Sequence, residues 1–188
     1  MPFADSPVAT PDLRAHAARL LMAAAPWAQL GAEDALTLID AMRPVFAPSG
    51  SIVMEEGDAI ETDYMALVLE GEVRAESSTG VAGEEVVISI IGPGGLIGEM
   101  GVIDGAPRSA TCTALTDLKL ATLSRHALMG LIDKQPMVAA RLLMAISAGL
   151  SERLRESNRR LRTLSQVTRA LQRELNATHA VNQRLLSQ

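Results

Sequence analysis

The sequence predicts a mainly β domain with flanking helices, an antiparallel β jelly roll or barrel, followed by one long C-terminal helix. Three observations lead there. Between Pro44 and Ser124, short apolar or alternating runs are broken at even intervals by Gly, Pro, Asp and Ser, the pattern of many short antiparallel strands. After Pro136 there is no proline and after Gly149 no glycine, so the last stretch reads as a single helix. The chain has 188 residues, 48% of them hydrophobic, enough for one real core with an appendage and too apolar for disorder.

The elements follow in order. Residues 1–12 hold Pro2, Pro7 and Pro11 and read as a loose arm. Residues 13–25 carry apolar side chains at helical spacing and stop at Pro26. A second helix begins at Gly31, with Glu33 and Asp34 suiting the positive end of its dipole, and closes before Pro44. Strands are predicted over residues 45–47, 51–55, 64–70, 72–77, 85–91, 109–114 and 118–124. Gly71 marks a tight turn or bulge between two of them, and residues 77–83 form a polar hairpin loop. Ser124 caps a helix over residues 127–133. The expected organisation is an N-terminal arm and helix over 1–30, the β domain over 31–135, and the long helix over 136–188.

A heptad can be laid on that helix. Its a positions are Leu154, Leu161, Thr168, Leu175 and Asn182, and its d positions are Ser157, Leu164, Leu171, Thr178 and Leu185. Six leucines in ten places at alternating three- and four-residue spacing make a coiled-coil seam, and a polar Asn182 at an a position favours a two-stranded pairing. The charge of the chain is divided. Residues 1–140 hold 8 basic against 19 acidic side chains, a balance of −11, whereas residues 141–188 hold 9 against 3, a balance of +6. The basic segment is a solvated helix face or a docking surface for a partner.

Several function classes are disfavoured. Only four residues are aromatic, too few for a protein that stacks bases. The single cysteine, Cys112, cannot form an internal disulfide, which suits a reducing, cytoplasmic setting. No stretch is long and apolar enough to span a membrane, and no basic leader precedes the early prolines. His16, His126 and His179 are scattered outside the predicted strands, so neither a metal site nor a nucleophile–base set is expected, and the chain is not expected to be an enzyme. Ile97 occupies the place of the third glycine in a dinucleotide fingerprint, and no P-loop lysine follows a glycine run.

The most informative stretch runs from Gly98 to Thr111, Gly-Glu-Met-Gly-Val-Ile-Asp-Gly-Ala-Pro-Arg-Ser-Ala-Thr. It sets Arg108 nine residues after Glu99, between strand-like segments that point the arginine into a core. A buried guanidinium without a partner is costly, and a phosphate suits its fork of donors. A short helix starting at Glu99 would aim free N–H groups at the same anion.

This stretch resembles the phosphate-binding cassette of the cyclic nucleotide-binding domain family. Gly57, Gly71, Gly98, Glu99, Arg108 and Ala110 stand at the family's recurring places, and the Pro-Arg-Ser-Ala-Thr ending agrees. The resemblance covers roughly residues 43–133. It implies an eight-stranded jelly roll with helices at both ends and a ligand site built from Gly98, Glu99, Met100, Arg108, Ser109 and Ala110. Arg108 would pair with the phosphodiester, Ser109 would add a hydroxyl donor, Glu99 would accept the ribose 2′-hydroxyl, and Ala75 and Ile88 would wall the sugar and base. In related bacterial regulators the long helix contacts the base; Arg153 and Leu154 occupy those places here, so Arg153 is a further candidate. No cofactor is expected beyond the ligand itself. The small Ser109 resembles cAMP-type cassettes, with cGMP or c-di-GMP as alternatives. The implied protein is a cAMP-binding sensor that dimerises through the leucine seam and signals to an unidentified downstream protein. A c-di-GMP receptor on the same fold, or a catabolite-activator-type regulator without a recognisable DNA-binding domain, are the alternatives; DNA is not expected as a partner.

Overall fold

The structure, a computed structural model, describes residues 4–5, 11–23, 30–78 and 85–186. In chain order its elements are β1 (Ala4–Asp5), α1 (Pro11–Ala23), α2 (Ala32–Asp40), β2 (Arg43–Ala47), β3 (Ile52–Met54), β4 (Tyr64–Glu70) and β5 (Val73–Ser78). Then come β6 (Glu85–Ile91), β7 (Leu96–Ile97), α3 (Glu99–Asp104), β8 (Thr111–Ala114), β9 (Leu118–Ser124), α4 (Arg125–Lys134) and α5 (Pro136–Leu186). The chain divides into two compact units, residues 1–146 and residues 147–188.

The first unit is built on two antiparallel sheets, one ordered β1-β2-β9-β4-β7 and the other β3-β8-β5-β6. β4 lies between β9 and β7, and residues 64–69 are all buried, which is why this strand reads as an unbroken apolar run instead of an alternating one. Val73 and Ala75 of β5 face Ala114 and Cys112 of β8, and with Val45, Val53, Tyr64, Val68 and Leu120 they form the core between the sheets. Gly71 turns β4 into β5 at φ +88°; a Cβ there would lie 2.4 Å from the Asp117 carbonyl oxygen, so only glycine fits.

The helices have local causes. The Asp34 carboxylate accepts from the Gly31 N–H at 3.1 Å and closes the N-terminus of α2. Ser124 caps α4 by accepting from the Ala127 N–H at 3.1 Å. Pro136 opens α5, where its missing N–H costs nothing. Val138, Ala139, Leu142, Ala145 and Ile146 of α5 are buried in the first unit. In the second unit Leu154, Leu161, Leu164, Leu171 and Leu175 are exposed along the continuing helix. Thr168 satisfies its hydroxyl on the Leu164 carbonyl. The side chains of Thr178, Asn182 and Leu185 lie outside the described residues, as do residues 79–83 of the expected hairpin loop.

The antiparallel architecture, the flanking helices and the long last helix agree with the sequence expectation. Three details differ. The N-terminal arm contributes β1, which pairs with Phe46 and Val45 of β2. Leu96–Ile97 adds a two-residue strand beside β4, too short to leave a pattern in the sequence. The strand expected from residue 109 begins at Thr111, because the backbone at Arg108 is bonded to the 57–58 loop instead of to a sheet.

Candidate functional site

The site grows from the tight entry to α3. Gly98 adopts φ +74° as the residue before the helix; a Cβ there would lie 2.5 Å from the Met54 Cε and 2.6 Å from the Arg108 Nη1. Glycine therefore lets the backbone pass between these two side chains. Glu99 follows as the first residue of α3 and is 2% exposed. The helix packs on β4, and Gly101 brings it close to the Thr62 carbonyl.

Arg108 is the centre of the arrangement and is 5% exposed. Its main chain is fixed twice: the Gly57 N–H donates to the Arg108 carbonyl at 2.8 Å, and the Arg108 N–H donates to the Asp58 carbonyl at 2.9 Å. Its side chain enters a cage of backbone oxygens. Nε and Nη2 donate to the Glu61 carbonyl at 3.0 and 2.6 Å, Nη2 also to the Tyr64 carbonyl at 2.9 Å, and Nη1 to the Gly98 carbonyl at 2.9 Å. Below the guanidinium lies the Tyr64 ring, its centroid 4.6 Å from Cζ. The Tyr64 hydroxyl in turn donates to the Val53 carbonyl at 2.9 Å. Burial pushes the Tyr64 phenol up to about 12, against the opposing pull of the Arg108 charge.

This cage changes the sequence argument. From the sequence, Arg108 lacked a partner without an anion; in the structure four of its side-chain hydrogen bonds go to backbone carbonyls. The carbonyls hold the guanidinium rigid beside the entry to α3, in a concavity it shares with the carboxylates of Glu55, Asp58 and Glu61. A concavity of about 200 Å³ reaches it, bounded by Ile52, Met54, Glu55, Glu61, Tyr64 and Arg108 among others.

The other expected site residues are distributed as follows. Gly98 and Arg108 are in direct contact, and Glu99 and Met100 follow in α3. Ser109 is exposed, with its hydroxyl 3.6 Å from the Met100 sulfur, and Ala110 is half-buried as the chain enters β8. Ala75 is buried between Ser89 and Cys112 and shares the core with Met54, Tyr64 and Ile97. Ile88 is the extra residue of a bulge, since Ser89 pairs with Ala75 and Val87 with Glu76, and it is 43% exposed. Arg153 belongs to the second unit, where it is exposed.

Sequence reasoning placed Gly57 but missed Tyr64 and the Asp58, Glu61 and Tyr64 carbonyls that bond Arg108. The signal was faint: one tyrosine in an aromatic-poor chain, placed at the start of an apolar strand. It also missed Glu56, whose carboxylate accepts from the Ser77 hydroxyl at 2.6 Å and the Ser78 N–H at 2.8 Å and is thereby held below its ordinary pKa.

Comparison with known proteins bears on this geometry directly. The sequence profile described as the cyclic nucleotide-binding domain matches residues 44–135, which carry the whole Gly98–Arg108 arrangement. A crystal structure of a cyclic nucleotide-binding domain from Methylobacillus flagellatus KT is 32% identical, covering 79% of this chain and 82% of that one, with a TM-score of 0.71. The chain belongs to the cyclic nucleotide-binding domain family. Among its relatives is the cyclic AMP receptor protein of Thermus thermophilus, 37% identical over 118 residues, or 63% of this chain and 51% of the relative. The Thermus thermophilus catabolite activator protein structure is 32% identical, with a TM-score of 0.64 over 78% of this chain and 63% of that one. The chain thus spans about half the length of the curated relatives it matches. Among the described residues, no helix is long and apolar enough to cross a membrane.

Proposed function

We propose that the chain is a cyclic nucleotide sensor that binds cAMP at the Gly98–Arg108 cassette, dimerises through the leucine seam of α5, and passes the signal to another protein. The buried cationic Arg108, held by neutral carbonyls beside the entry to α3, carries this reading. A monoanionic phosphodiester suits the planar fork of donors that the guanidinium presents. Glu99, fixed as the first residue of α3, is the acceptor for a ribose hydroxyl, Ser109 is a further donor, and Ala75 lies in the core that would back the sugar and base. The arrangement is one for binding, not for turnover. The row of exposed leucines from Leu154 to Leu175 supports pairing of two helices, because so many apolar side chains on one strip favour a partner.

Isothermal titration with cAMP tests the reading, with Arg108→Ala titrated alongside and its circular dichroism checked. Micromolar or tighter binding that a folded Arg108→Ala variant loses is the expected result. An absence of binding by the wild-type protein overturns it. Titrations with cGMP and c-di-GMP under the same conditions identify the preferred ligand.

A further inference from the structure

We propose that Tyr64 is a positioning residue for anion recognition, holding the Arg108 guanidinium flat and aimed so that affinity for a phosphodiester depends on its ring. The inference rests on the reading of the cassette as a cyclic nucleotide site and goes further, to a residue outside the cassette.

The chain has two phenylalanines, one tryptophan and one tyrosine. Its sole tyrosine sits under the arginine of the cassette, 4.6 Å from Cζ to the ring centroid. Tyr64 holds the guanidinium in two ways. Its ring covers the face, and its carbonyl takes an Nη2 N–H at the edge at 2.9 Å. The carbonyls of Glu61 and Gly98 restrain the guanidinium within its plane, and the ring restrains tilt out of that plane.

The ring itself is immobilised. Tyr64 pairs with Ser124 in the sheet, its side chain is buried, and its hydroxyl is bonded to Val53. At neutral pH the buried phenol stays protonated, so the ring acts through its π face and not as an anion that would compete with a ligand. A cation over an aromatic face in a water-poor site is stabilised more than one at an exposed site. Without the ring, the same guanidinium keeps its carbonyl partners and gains freedom to tilt, so each encounter with a phosphate must first fix its orientation.

The experiment compares cAMP with adenosine, which has the same base and ribose but no phosphate, on Tyr64→Leu and Tyr64→Phe. Tyr64→Leu is expected to weaken cAMP binding by roughly 3- to 30-fold, the range of a cation–π contact, while adenosine binding is unchanged. Tyr64→Phe keeps the ring and restores most of the preference for cAMP, although it melts at a lower temperature because the Val53 carbonyl loses its donor. An equal loss of cAMP and adenosine affinity in Tyr64→Leu, or a loss in Tyr64→Phe as large as in Tyr64→Leu, makes Tyr64 merely structural and overturns the proposal. The Arg108 Nε–H resonance gives a second readout in the ligand-free protein. Ring-current shielding is expected in the wild type and in Tyr64→Phe and lost in Tyr64→Leu; a signal that does not move overturns the proposal. A wild-type protein that binds no cAMP refutes the functional reading instead, and the wild-type titration separates the two failures.

Discussion

The Asp34 carboxylate of α2 ion-pairs with Arg141 of α5, and the same oxygen accepts the Gly31 N–H that starts α2. One side chain thus ties the last helix of the first unit to the beginning of its second. Asp34 is buried, whereas the Arg141 side chain is 45% exposed, so the cap contributes more than the ion pair. Asp34→Ala is expected to destabilise the protein by about 1–2 kcal/mol, measured by urea unfolding, with Arg141→Ala costing less.

Gly71→Ala probes the turn between β4 and β5. The substitution meets both a positive φ and a backbone oxygen that cannot move aside like a side-chain tip. A loss of about 2–4 kcal/mol is expected from left-handed strain together with overpacking, read as a fall in the midpoint of denaturant unfolding.

Gly98→Ala has a different balance. The atoms a Cβ would meet belong to Met54 and Arg108 side chains, which can shift. Stability is expected to fall by only about 1–2 kcal/mol. The displaced Nη1 compromises the anion site, so cAMP affinity is expected to fall roughly tenfold or more, the scale of one charge-assisted hydrogen bond. Titration and thermal melting of the same sample separate the two effects.

Glu56 links β5 to the loop after β3, and its titration gives a pH signature. The Ser77 hydroxyl and then the Ser78 N–H hold its pKa below the ordinary 4.5. A depressed folded pKa means the contribution is present above the unfolded value and is lost as pH falls through the folded one. Ser77→Ala is therefore expected to melt below the wild type at pH 7, with the two melting temperatures converging in acid as Glu56 protonates in both. A constant gap across that range contradicts this assignment.

The leucine seam is tested by charge. Leu161→Asp together with Leu164→Asp places carboxylates on adjacent seam positions. Sedimentation is expected to show a dimer for the wild type and a monomer for the double variant, with barrel stability unaffected.

Much of this molecule was legible in its sequence, for reasons that differ by element. β4, β6 and β9 were bounded correctly because long apolar or β-branched runs end at strong punctuation such as Gly71 and Ser124. The family was legible because Gly98, Glu99 and Arg108 stand at the spacing of a recurring motif, which a resemblance can match without any knowledge of the contacts around it. What surrounds Arg108 was not legible. The Glu61, Tyr64 and Gly98 carbonyls that cage it belong to the backbone, which every residue carries, so no residue type betrays them. The bulge that turns Ile88 outward escaped for a related reason. A period-two pattern assumes an unbroken ladder, and one inserted residue reverses the faces beyond it.

β6 carries a consequence for how the protein is handled. Among the described strands it ends its sheet, with β5 on one side only, and Val86, Val87, Ile88 and Ile90 stand exposed along it. A seven-residue run of Glu-Val-Val-Ile-Ser-Ile-Ile, with one charge and no proline, is a template for unwanted strand addition between molecules. The net charge of −5 opposes such association by repulsion, and salt screens that repulsion. Concentrated stocks should therefore keep best in dilute buffer.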